Sequence, residues 1–279
     1  MPSIVPTFIE RRLDPEQEYA FRLTLVAIAF LLITIPFGLL LEQVLSHGPM
    51  TEVDLSASEH LVALARDHAW ANSTLEVISF LGKPIFLAAV IGLPAVLLFR
   101  RGERRIAVYL VVTAITGGIV DTVLKIVVNR PRPTFGGAPL NEAYGNSFPS
   151  GHSLSSVVCY GAVLLVVIPY VRSSHRRPVM LATAAIVLAI GLSRLGLGVH
   201  YTSDVLGGYV LGVAWLLLAT AAFSIWRVER GEEPVSPTLD GIEPEHDPAL
   251  IAAHERAGDE TPDETPRATA ETPTVSGNF

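Results

Sequence analysis

The chain has 279 residues, half of them hydrophobic, and a formal charge of −7. Apolar runs of about 20 residues recur along it, the length needed to cross about 30 Å of hydrocarbon, which excludes a soluble globular enzyme or a nucleic-acid binder and implies a polytopic membrane protein. The period-2 alternation of a membrane β-barrel is missing and the runs are too long for strands, so the expected fold class is all-α.

Residues 1–22 form an N-terminal segment ahead of six predicted spans, near 23–44, 77–99, 106–128, 153–171, 179–197 and 205–226. Arg11, Arg12 and Arg22 precede the first run, as in a cleavable signal. That run is longer than a signal core and no small-residue cleavage pattern follows, so it is expected to be a retained span. Between the first two spans, "DLSASEHLVALARDHAWANSTL" places Leu61, Leu64 and Ala65 at helical spacing. It predicts a short amphipathic helix on the outer surface, capped by Ser56 or Ser58 and with Trp70 at headgroup level, or else a plain connector. Lys83, beside Pro84 near the outer end of the second span, reads equally as a headgroup contact or a snorkelling lysine.

The third span closes on "KIVVNRPRP". Pro131 and Pro133 stop the helix and keep the chain extended, holding Lys125 and Arg132 near each other at the surface. A guanidinium fork matches phosphate oxygens and an ammonium supplies a point charge, while Asp121, one turn before Lys125, is placed to hold it. Interfacial snorkelling is the plain alternative. The fourth span opens on "SFPSGHS", where Pro149 and Gly151 make a tight start. The backbone N–H groups of Gly151 and His152 then lie at the positive end of a helix, an anion site, with Ser150 adding a hydroxyl; as a bare capped helix start, Ser150 or Ser153 would be the cap. Cys159, the one cysteine, falls mid-span and excludes an intramolecular disulfide.

In "GLSRLGLGVHYTSD", Ser193 and Arg194 end the fifth span and His200 precedes Asp204 by four residues at the start of the sixth. If 200–204 is helical, the two share a face, and a carboxylate on one ring nitrogen leaves the other as nucleophile or base. The same residues could be a satisfied polar pair capping a span. Gly208 and Gly212 suit close helix packing, or more weakly a dimer face.

From Gly231 to Phe279 the local net charge is −10, with seven prolines and few large apolar side chains. Such a tail cannot bury enough surface to fold, so 227–279 is expected to be an acidic disordered appendage. Alternate sides of the spans carry twelve and three Lys or Arg residues, which predicts cytoplasmic termini, an inner or plasma membrane location, and an outer face for all three polar clusters.

Taken together, Lys125 to Arg132-Pro133, Pro149-Ser150-Gly151-His152, and Ser193-Arg194 to His200 to Asp204 resemble the signature of the type 2 phosphatidic acid phosphatase and vanadium haloperoxidase superfamily, every spacing intact. The resemblance covers roughly 77–226, the motif-bearing part of a 23–226 membrane domain. It implies that Lys125, Arg132, Ser150, Gly151 and Arg194 surround the phosphoryl oxygens. His200 would become a phosphohistidine, oriented by Asp204, and His152 would protonate the leaving group; Asp121, Ser193 and Pro149 would support the site. Charge spread over three equatorial oxygens calls for several preorganised cations. No acidic cluster suited to magnesium appears on the outer side, so neither metal nor cofactor is expected. The expected function is a membrane lipid phosphatase, of the phosphatidic acid or undecaprenyl diphosphatase kind. A lipid phosphotransferase and a non-catalytic lipid-binding or transport protein are the alternatives, and the soluble haloperoxidase branch is not expected.

Overall fold

Continuous apolar sequence gives continuous helix here, broken only where proline, glycine or a polar motif intervenes. The computed structural model describes residues 15–46, 50–134 and 145–228. Among these all regular structure is helical. The elements are α1 (Pro15–Leu45), α2 (Met50–Asp67), α3 (Ala69–Phe80), α4 (Pro84–Arg100), α5 (Arg104–Val128), α6 (Gly151–Val167, continued by a 3-10 turn Ile168–Tyr170), α7 (Ser173–Gly196) and α8 (Thr202–Val228). Four helices are long and apolar enough to cross a membrane: α5, α6 with its turn, α7 and α8. The α3–α4 pair gives a fifth if counted as one bent span. In α1 the apolar stretch is Thr34–Leu45. The expected tail and most of the N-terminal segment lie outside the described residues.

Helix α6 is the central post. It packs on α4, α5, α7 and α8, and half of its apolar window is buried, against about a third for α5 and α8. The outer helices therefore turn large side chains such as Ile115, Leu181 and Val213 outward, where acyl chains are the solvent. Beyond the cavity, Leu87 and Ile91 of α4, Leu110 of α5, and Cys159 and Ala162 of α6 belong to one apolar core. Two long-range bonds fix α5 to α8: Tyr109 Oη with Thr220 Oγ1 at 2.8 Å, and Trp215 Nε1 donating to the Thr113 carbonyl at 3.2 Å. Helices α6 and α8 meet at Gly208 and Gly212. A Cβ on Gly208 would sit 2.7 Å from the Ser150 carbonyl, and one on Gly212 would sit 2.8 Å from Val157 Cβ. The GxxxG pair is thus used for packing within the chain.

Two expectations need correction. The second predicted span is not straight: α3 and α4 meet at a 40° bend. Lys83, preceding Pro84, takes extended backbone at φ −68° and ψ 144°, because proline disfavours the α region for the residue before it. An unbroken apolar run hides that break from periodicity. The outer-loop helix is two helices, parted at His68 in extended backbone, and α2 begins at Met50. Ser56 and Ser58 therefore lie inside α2 and not at its start; Ser58 is buried and donates to the Asp54 carbonyl at 3.1 Å. Asp54, Ser58, Val62 and Ala65 form the buried face of α2, which packs on α7 and α8.

Candidate active site

Helix ends converge on one cavity. Helix α5 stops at Asn129, whose left-handed backbone (φ 49°) turns the chain out of the helix and into the "RPRP" stretch. Lys125, in the last turn, is held by Asp121 one turn earlier, as expected. Arg132 is fixed by donating from Nη1 to the Val199 carbonyl at 2.8 Å and from Nε to the Gly145 carbonyl at 3.0 Å. The chain returns through Ser147, whose N–H donates to the Arg130 carbonyl at 2.8 Å, and reaches Pro149 by a cis peptide bond. Helix α6 then starts at Gly151, leaving the Gly151 and His152 amides at its positive end. A Cβ on Gly151 would lie 2.8 Å from Asp121 Oδ2 and 3.0 Å from Lys125 Nζ, so a larger residue would displace that ion pair.

The cavity measures about 780 Å³ and is lined by Lys125, Arg132, Gly151, His152, Arg194 and His200, together with Asp121. All three polar clusters thus open on the same space, and both histidines face it. Pro149, Ser150, Ser193 and Asp204 are fully buried and do not line it. Ser150 occupies the N-cap position without making a side-chain cap bond; its Oγ accepts from Ser153 Oγ at 3.1 Å. Ser193 Oγ donates to the Ile190 carbonyl at 2.6 Å, one layer behind Arg194.

His200 lies in a bend before α8, not in a helix, yet still meets Asp204, with Nδ1 3.4 Å from Oδ2. Its Nε2 is 3.3 Å from Arg132 Nη1. Burial is the largest influence on its basicity and lowers its pKa to about 4, opposed by Asp204 and reinforced by Arg132 and Arg194. The ring is therefore neutral at pH 7; Nε2, which faces the Arg132 donor, carries its lone pair, and Nδ1 sits beside the Asp204 carboxylate without forming a hydrogen bond among the described residues. His152 Nε2 is buried without a hydrogen-bond partner among the described residues, as is Arg194 Nε. Buried donors and acceptors are rarely left so, and both belong to groups on the cavity wall. Among the described residues no three His, Cys, Asp or Glu side chains gather as a metal site.

Sequence reasoning missed a wall and a foundation. Glu76, Ser79 and Gly82 of the α3–α4 elbow join Lys83 in lining the cavity. Arg194 Nη1 donates to Ser79 Oγ at 2.6 Å. The foundation is buried: Arg130 Nη1 donates to Asp204 Oδ1 at 2.6 Å and Nη2 to Asp54 Oδ2 at 3.0 Å, with the guanidinium 4.0 Å from the centre of the Tyr201 ring. Asp204 also accepts from Ser147 Oγ and from the Tyr201 N–H at 2.8 Å. Asp54 is remote in sequence from every motif, so only an acidic residue on the inward face of α2 could have signalled it.

Residues 106–227 match the PAP2 superfamily, a stretch that contains all three clusters in one cavity. Over that stretch the chain is similar to the superfamily. It is 29% identical over 184 residues to phosphatidylglycerophosphatase B of Bacillus subtilis, covering 65% of this chain and 89% of the relative. A lipid A 1-phosphatase of Rhizobium johnstonii is 33% identical over 42% of this chain and 47% of its own length. An undecaprenyl-diphosphatase of Sulfolobus acidocaldarius is 32% identical over 45% and 59% respectively. The crystal structure of a transmembrane PAP2 type phosphatidylglycerolphosphate phosphatase from Bacillus subtilis superposes with a TM-score of 0.63 at 28% identity, covering 69% of this chain and 94% of that one. These PAP2 relatives are phosphatases of lipid phosphates, and this chain, with its apolar helices, is likewise an integral membrane protein.

The PAP2 match begins at residue 106, so the α3–α4 elbow precedes it. Its closeness to the site is testable at Gly82, where a Cβ would lie 2.9 Å from His152 Cδ2 and 2.7 Å from Ile190 Cγ2. Gly82→Ala is expected to lower kcat by roughly 10- to 100-fold, the cost of moving a reacting group by a fraction of an ångström to one ångström. Steady-state assays beside a thermal melt separate this from unfolding.

Proposed function

We propose that the protein is a metal-independent phosphatase that removes a terminal phosphate from a membrane lipid through a phosphohistidine at His200. One observation carries the reading: a histidine backed by a buried carboxylate faces the same cavity as a second histidine, whose Nε2 has no partner among the described residues, and four cationic side chains. The phosphoryl group sits among Lys125, Arg132, Arg194 and the Gly151 and His152 amides, which stabilise charge on its equatorial oxygens. His200 Nε2 forms a bond to phosphorus as the phosphorus–oxygen bond to the lipid breaks, and His152 gives the departing oxygen its proton. The ring of His200, keeping Nδ1–H, becomes cationic and is met by Asp204. His152, now the base, takes a proton from water as that water attacks phosphorus; the N–P bond breaks and inorganic phosphate leaves.

A lipid substrate fits helix ends that hold a headgroup while the chain stays in the bilayer, and the PAP2 relatives act on such lipids. In the same proposal the α3–α4 pair is one bent span and α1 a sixth, α2 covers the outer side, and both termini with the acidic tail are cytoplasmic. The arginine-rich connectors at 100–105 and 172–177 support this orientation. The first links α4 to α5 and the second α6 to α7, at the ends of α5 and α6 remote from the cavity, and α5 alone, with 25 residues, is about 37 Å long.

The test is phosphate release by purified protein from phosphatidate, phosphatidylglycerol phosphate and a polyprenyl diphosphate, with and without excess EDTA. At least one substrate is expected to turn over at an unchanged rate in EDTA. Loss of activity restored by a divalent cation would reject the metal-independent mechanism. Accumulation of a new phosphodiester in place of free phosphate would make the protein a phosphotransferase.

A further inference from the structure

The site proposed above rests on a buried ionic group that the PAP2-matched stretch does not complete. Within 106–227, Arg130 faces Asp204; from outside it, α2 brings Asp54 to the other side of the same guanidinium. Asp54 Oδ1 accepts from the Ser203 N–H at 2.8 Å and Oδ2 from Ser203 Oγ at 2.5 Å, and Ser203 Oγ accepts from Arg130 Nη1 at 2.8 Å. Asp54, Arg130, Ser203 and Asp204 are all buried, so these charges act on one another with little screening. A surface-lying loop helix has no need of a buried carboxylate; this one is directed at the support of the nucleophile.

We infer that Asp54 is a positioning residue for His200, acting through Arg130 and Asp204, and that α2 is part of the catalytic machinery. The inference rests on His200 being the nucleophile, as proposed. Two carboxylates share one guanidinium, leaving the group with a formal charge of −1. Because Asp54 takes part of the Arg130 charge, Asp204 is not fully neutralised and keeps negative potential for the His200 ring. That potential matters most when the ring becomes cationic on forming its bond to phosphorus. Binding of the substrate phosphate, by contrast, uses groups on the cavity wall that Asp54 does not touch. Asp54 therefore acts on kcat and leaves KM in place.

The experiment compares the full-length parent, Asp54→Asn, Asp204→Asn, the double variant and His200→Ala, each purified in detergent, checked by gel filtration and thermal melt, and assayed for phosphate release. Asp54→Asn is expected to lower kcat by about 10- to 100-fold, with KM changed less than about threefold, the scale of coupling between contacting buried groups. In the Asp204→Asn background the same substitution is expected to change kcat by less than about threefold, since the intermediary is gone. Parental kcat in Asp54→Asn, a loss confined to KM, or an undiminished loss in the Asp204→Asn background each overturns the inference. If His200→Ala stays active, the nucleophile assignment itself fails. If His200→Ala is inactive while Asp54→Asn keeps parental kcat, only the role of Asp54 falls. Should Asp54→Asn not fold, Ser203→Ala, which removes the hydroxyl bridging Asp54 and Arg130, is expected to lose about 3- to 10-fold in kcat; a parental kcat there overturns the inference equally.

Discussion

His200→Ala is expected to abolish turnover, with a fall in kcat of about 10⁴-fold or more, the scale seen when an enzyme loses its covalent nucleophile. Nδ1 faces the Asp204 carboxylate at 3.4 Å, and Nε2, on the cavity side, lies 3.3 Å from Arg132 Nη1, a donor suited to a phosphoryl oxygen. Burial lowers the pKa to about 4, and a lowered histidine pKa means that the neutral, nucleophilic form persists until the pH falls through that value. The substitution removes the proposed nucleophile but leaves Lys125, Arg132 and Arg194 in place, so the variant is expected to bind substrate phosphate with near-parental affinity. Rapid quenching with a ³²P-labelled substrate reads the step directly: the parent carries acid-labile label on protein and the variant carries none. Label that persists in His200→Ala, or turnover within about 10²-fold of the parent, would move the nucleophile elsewhere.

His152→Asn is expected to lower kcat by about 10²- to 10⁴-fold on a lipid alkyl phosphate, as for loss of a general acid. His152 is set at the first turn of α6, with Gly82 packed against its ring and Nε2 without a partner among the described residues. A nitrogen so placed is available to the oxygen that leaves phosphorus. The loss should depend on that oxygen. An aryl phosphate, whose phenol departs without needing a proton, is expected to be cleaved by His152→Asn at a rate much nearer the parent's. An equal loss on alkyl and aryl substrates would show that His152 serves binding or structure, and the general-acid role would be abandoned.

Much of the site was legible because phosphate chemistry restricts residue type and spacing together. The pairing of Asp121 with Lys125 follows from a spacing of four in a helix, and Gly151 and His152 stand at a helix start because proline and glycine put them there. His200 and Asp204 meet although the assumption behind that expectation was wrong: Tyr201 N–H bonds back to the Asp204 carboxylate, and this turn, not a helical face, sets the pair. The bend at Lys83 was signalled by Pro84 but masked by apolar sequence on both sides, where hydropathy cannot tell one helix from two. Asp54 and Ser79 were out of reach. Their roles come from partners 76 and 115 positions away, and neither carries a local pattern that separates it from an ordinary helical residue.

The bonds that hold the pocket also say when it comes into being. Arg130 reaches Asp204 across 74 positions and Arg132 reaches Val199 across 67, while the Ser150 amide donates to the Asp204 carbonyl. A nascent polypeptide ending before α8 would hold Lys125, Arg132 and Arg194 but lack Asp204, the carboxylate that Arg130 and the Tyr201 amide bind beside His200. The candidate site is therefore assembled only when α8 is in place, so its geometry depends on the most C-terminal of the described helices.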